Sequence, residues 1–247
     1  MPLVTTYRRD WNGSGWTMKA GSVNRFEAWA LIVGPVLALL FFLLQPGGLL
    51  IDSVDSTDYI GRVQALASNA TMAHVAGLMV PLGLIVMIYG LTGLNRLIVL
   101  VEDDTASALS RFGILTATMG AFGWIMSNGL THVLVETQIR SEQALQAAVA
   151  TAQTAAGLTF IASIAVSLGI MALSLGLSAR DPIGFNKIAA LVIFVVSGVS
   201  VIALIAGQSG PNEDMITLAR LCYFPWVLWS ITLGVRFLKA GSLSRQP

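Results

Sequence analysis

The sequence predicts an all-α, polytopic membrane helical bundle of about six transmembrane helices, with both termini on the cytoplasmic side (N-in/C-in). Three observations predict it: charge is scarce, charge-free apolar runs of membrane-spanning length recur, and Lys and Arg fall on alternate connections. Of 247 residues, 55% are hydrophobic and only 11% charged, and mean hydropathy is +0.76. A soluble domain carries roughly 25% charged residues because its surface faces water. With so few charges, most of this surface has to face something other than water. The net charge of +1 gives no footprint for nucleic acid. The single cysteine, Cys222, excludes an intramolecular disulfide and any multi-cysteine metal site.

Taken in order, residues 1–25 form a polar cytoplasmic tail with Arg8, Arg9, Lys19 and Arg25, and without the apolar core of a cleavable signal peptide. Residues 26–240 form the transmembrane domain. Spans are expected near Ala28–Leu44, Thr71–Leu94, Phe112–Leu134, Ala152–Leu177, Ile188–Ala206 and Ile216–Phe237. Each approaches the roughly 20 residues that cross about 30 Å of hydrocarbon. Only helices satisfy their own backbone in lipid over such lengths. Residues 241–247 form a second cytoplasmic tail.

Orientation follows from the basic residues. An N-in arrangement places Arg8, Arg9, Lys19, Arg25, Arg96, Arg111, Arg180, Lys187, Arg236, Lys239 and Arg245 inside, and Arg62, Arg140 and Arg220 outside; eleven plus three accounts for all 14. The outer connection 47–70 is expected to lie at the membrane interface. Tyr59, Val63, Leu66 and Ala67 recur there at helical spacing, with Thr57 as N-cap. Ser141–Gln153, rich in Ala and Gln, should start the fourth helix outside the bilayer. Pro35, Pro81 and Pro225 should kink the first, second and sixth spans. Gly113, Ala117, Gly120, Gly123 and Ser127 give the third a small-residue face for close packing.

Chemistry is sought among intramembrane and near-membrane polar groups, which are expensive there. Counting 1.5 Å per residue from Arg96 to His74, and from Arg111 to His132, puts both histidines at about the same depth near the outer interface. The two helices should be antiparallel neighbours. Trp124, Asn128, His132 and Glu136 follow at four-residue steps, each drifting about 40° around the helix, so adjacent members share a face and the whole set does not. Arg220 should seek Glu136, Glu213 or Asp214. Three ligand readings fit this rim. His74 and His132 hold haem b, with Asn128 and Trp124 nearby; or His74, His132 and Glu136 hold a divalent metal; or the rim binds a quinone or lipid head group. Against these stands an unliganded pair of interfacial histidines, which costs little.

No lysine lies within a span, and no nucleophile elbow or phosphate loop appears. The leading expectation is therefore a non-catalytic subunit or accessory protein of a membrane complex, in contact with lipid and with a membrane-protein partner or itself. A multi-pass place in the cell membrane, the bacterial inner membrane, is expected with it. The redox or metal protein is the runner-up.

Overall fold

The computed structural model describes residues 23–99, 103–137, 141–180, 185–209 and 212–243. The two polar tails lie wholly or largely outside that set. The described residues form eight helices: α1 (Arg25–Leu43), α2 (Tyr59–Ser68), α3 (Ala70–Val99), α4 (Asp104–Glu136), α5 (Glu142–Arg180), α6 (Phe185–Ser209), α7 (Glu213–Leu221) and α8 (Tyr223–Leu243). The all-α bundle is as expected.

Five stretches are long and apolar enough to cross a membrane: Arg25–Leu43, Ala70–Val99, Glu142–Ala179, Lys187–Gln208 and Glu213–Lys239. The third expected span, within α4, is not among them, although α4 has 33 residues. The reason is composition. Its inward positions Ser110, Ser127 and Thr131 are buried, whereas Leu115, Met119, Phe122 and Met126 form an exposed apolar stripe at helical spacing. A matching stripe runs along α6 through Ile188, Val192, Val195, Val199 and Ile202.

The long helices form a ring in the order α3, α4, α5, α6, α8, α1, and back to α3, with the α6–α8 seam the thinnest contact. Small residues permit the closest approaches. A Cβ on Gly120 of α4 would sit 2.6 Å from the Ala162 carbonyl oxygen of α5, and one on Gly169 of α5 would sit 2.5 Å from the Ala117 amide nitrogen. Backbone therefore packs on backbone along the face that the glycine spacing predicts.

Three details differ from expectation. The helix-breaking proline acts upstream of its own position: α7 ends at Leu221 and α8 starts at Tyr223, so the sixth span is two helices joined at Cys222. Pro225 has no N–H to donate to the Leu221 carbonyl, and its ring crowds that same group. In α2, Asp58 rather than Thr57 is the N-cap, its carboxylate accepting from the Gly61 amide at 2.8 Å. That N–H is the third of the unpaired amides, which a carboxylate one residue later reaches. Finally, α2 turns its apolar face to protein. Val63 and Leu66 are buried among Ala73, Leu134, Ala148 and Ala152. Ala148 and Ala152, in the early turns of the 39-residue α5, are thus covered by α2, while Gln143, Gln146 and Ala147 stay exposed.

Candidate functional site

Two groups of polar residues stand out at the α2 end of the bundle, and α4 contributes to both. Trp124, Ser127, Asn128 and Thr131 recur at i, i+3, i+4 and i+7 and line an internal chamber. His132 and Glu136 are rotated off that face and meet α3 instead.

At the α3–α4 seam, His74 Nδ1 and His132 Nδ1 are 2.8 Å apart, with the ring centroids 5.1 Å apart and the planes inclined by 20°, an edge-to-edge approach. His74 Nε2 is 3.2 Å from Glu136 Oε1. The His132 ring rests on Gly77, where a Cβ would come within 2.9 Å of Nε2. His74 Nε2 carries its hydrogen toward the carboxylate, and the Nδ1–Nδ1 contact is one hydrogen bond whose donor depends on the tautomer. The depth argument thus brings together the three residues it named. They form a chain, however, with Glu136 and His132 on opposite edges of the His74 ring, and do not converge on a point. Among the described residues no three His, Cys, Asp or Glu side chains are grouped to hold a metal ion. An iron between two axial imidazoles would need its nitrogens about 4 Å apart, at about 2.0 Å per bond. The direct Nδ1–Nδ1 contact leaves no such space, so a haem iron does not fit between these two rings as they stand.

The chamber lies inside the ring, with a volume of about 300 Å³. Along α5 its wall extends from Ala156 to Ile170, about 21 Å at 1.5 Å per residue. The wall changes character along its length. At the α2 end it is polar: Gln45, Ser56, Thr57, Arg62, Gln208 and Arg220. Deeper, it is apolar and aromatic, with Leu84, Met87, Leu91, Val166, Ile170 and Trp226. Between the two, Ser163 is a hydrogen-bond node. Its hydroxyl donates to the Thr159 carbonyl at 2.7 Å and accepts from Trp124 Nε1 and Tyr223 OH, each at 3.0 Å. Ser127 donates to the Ala155 carbonyl at 2.9 Å, so Thr159 Oγ1, 2.7 Å away, donates to Ser127. These hydroxyls fix the α4, α5 and α8 walls against one another.

Four buried polar side-chain atoms among the described residues have no hydrogen-bond partner: Asn128 Oδ1, Ser197 Oγ, Trp226 Nε1 and Trp229 Nε1. Three of these belong to residues of the chamber wall. Buried polar groups are normally paired, so unspent hydrogen-bonding capacity is concentrated here.

Loop 44–58 and α7 frame the polar end. Ser56 is tied to Glu213 by its backbone N–H, at 3.3 Å, and by its hydroxyl. Glu213 is the acid that Arg220 finds, although only at 4.0 Å. Burial holds the Arg62 guanidinium below the usual arginine range; nearby Arg220 adds to the shift and Tyr59 opposes it. It stays charged at neutral pH.

The site residues named from sequence thus divide. His74, His132 and Glu136 meet at the α3–α4 seam, while Trp124 and Asn128 line the chamber. Sequence reasoning missed Ser163 and Arg62, and treated Trp226 and Trp229 as packing and lipid contacts. Comparison with protein-family models, curated proteins and solved structures finds no match for this chain.

Proposed function

We propose that this chain is an integral membrane protein that takes a single-chain amphiphile into its bundle. The head lies at the Arg62–Arg220 end and the apolar chain runs toward Leu91 and Trp226. One observation carries the reading: a single continuous chamber is polar at one end and apolar and aromatic at the other. Concave, mostly apolar sites with a few placed polar groups are the usual form of small-molecule sites. The volume, about 300 Å³, is at the low end for such sites and favours one chain over two. The thin α6–α8 seam offers a lateral route from the bilayer. The lipid- or quinone-binding expectation therefore moves from the histidine rim into the chamber. For the accessory-subunit expectation, the exposed stripes on α4 and α6 serve lipid as well as they serve a partner, so no observation favours it.

The test uses the tryptophans of the chamber wall. Trp11 and Trp16 of the N-terminal tail and Trp29, 54% exposed on α1, are first changed to Phe, so that only the three tryptophans of the chamber wall report. A brominated single-chain amphiphile should then quench the remaining emission saturably. Ala156→Phe, which places a ring inside the chamber, should abolish that component. Quenching that never saturates and ignores Ala156→Phe would locate the amphiphile in the micelle and end the reading.

A further inference from the structure

Two arginines line the chamber's polar end, held by separate elements, Arg62 by α2 and Arg220 by α7. They are close enough to repel one another. Several acids around them are engaged in other hydrogen bonds. Asp58 caps α2 through the Gly61 amide, Asp52 accepts from the Asn69 amide, and Asp55 accepts from the Thr57 hydroxyl at 3.4 Å. Glu136 faces His74. Glu213 accepts from both the amide and the hydroxyl of Ser56, and reaches Arg220 only at 4.0 Å. Among the described residues, no carboxylate lies within 4.0 Å of Arg62. Three aspartates border this end and none is used on the cation that most needs one.

A cation drawn out of water without a counter-ion is costly, and its partner is expected close by. Here the nearest unfilled space is the chamber itself. We propose that Arg62 and Arg220 form an anion clamp that selects an acidic head group, a carboxylate or a phosphate, on the amphiphile the chamber receives; this rests on the chamber reading above. Guanidinium forks match both anions bidentately, and two of them from different helices converge on one head group.

The experiment compares three probes on the full chain in neutral detergent, read by their relief of the quenching by the brominated amphiphile described above and by thermal unfolding. They are 1-oleoyl lysophosphatidic acid, 1-oleoylglycerol with the same chain and no phosphate, and glycerol 3-phosphate as the head alone. The acid should bind at least about 10-fold tighter than the neutral lipid, which is about 1.4 kcal/mol. Arg62→Gln and Arg220→Gln should each remove most of that preference. Equal binding of acid and neutral lipid by the wild-type chain would overturn the clamp and leave the chamber reading standing, whether or not either variant folds. Binding of glycerol 3-phosphate alone, lost in Arg62→Gln, with neither lipid bound, would uphold an anion site for a free phosphate and end the amphiphile reading. No binding by any of the three would overturn both.

Discussion

Glu27 holds the end of the bundle remote from the chamber's polar end. It is 3% exposed, and its Oε2 accepts from Arg96 of α3 at 2.7 Å and from the Asn24 amide at 2.9 Å, while Asn24 caps the Glu27 amide in return. Hydrogen bonds to a charged group contribute about 1.5–3 kcal/mol, so Glu27→Gln should cost in that range. Glu136→Gln is the contrast: its carboxylate is 78% exposed beside His74 and should change stability by less than about 0.5 kcal/mol. Thermal unfolding in one detergent checks both, and equal midpoints would mean that the Glu27 clasp does not hold α1 to α3. The two residues also differ in how readily sequence reveals them. The His74–His132 approach follows from counting turns along two helices from their basic ends. An acid in a first turn reads simply as a favourable dipole partner. Its link to Arg96 exists only once α1 and α3 pair. Arg62 was hidden for a similar reason. An arginine on a ten-residue amphipathic helix looks solvated until that helix folds onto α5 and α4.

At the scale of elements, the α4–α5 pair shows what small residues do. Gly169 lies against the α4 backbone, whereas Gly157, three turns earlier on the same helix, has nothing within 4 Å of the position a Cβ would take. Helix propensity alone favours Ala over Gly by about 1 kcal/mol at both positions. Gly157→Ala should therefore be neutral or slightly stabilising. Gly169→Ala should lower the unfolding midpoint, because its methyl would lie 2.5 Å from the Ala117 nitrogen and push the helices apart. If both variants gained stability alike, the close approach of α4 and α5 would be wrong. The small-residue face was legible because glycine spacing translates directly into a packing face. The break at Cys222 was legible only as a kink, because Pro225 announces a lost hydrogen bond but not whether neighbouring contacts will straighten the chain across it. The missing apolarity of α4 has its own cause: the buried Ser110, Ser127 and Thr131, and Thr118 on the exposed face, lower the average of a helix whose outer stripe is otherwise apolar.

For the whole molecule, hydropathy disclosed a bundle but not a cavity, because a chamber is a property of how six long helices close and not of any one of them. Trp124, Ser127, Ser163, Tyr223 and Arg220 are individually unremarkable positions on three helices and a short fourth; only ring closure sets them around one space. What sequence does supply is direction. If the eleven-to-three partition of Lys and Arg governs insertion, the chamber's polar end, with the α1–α2 loop and α7, faces away from the cytoplasm, and the Glu27–Arg96 end faces it. Single-cysteine labelling decides this cleanly, because the only native thiol, Cys222, is buried at 7% exposure and gives little background. Thr57→Cys, in the exposed loop before α2, should react with a membrane-impermeant maleimide in intact cells. Thr105→Cys, exposed at the start of α4, should react only after permeabilisation. The reverse pattern would place Arg62 and Arg220 on the cytoplasmic leaflet. The chamber and its chemistry would survive that result, but its amphiphile would then be drawn from the inner leaflet, where the anionic surface lipids of a cell membrane compete for the same two guanidiniums.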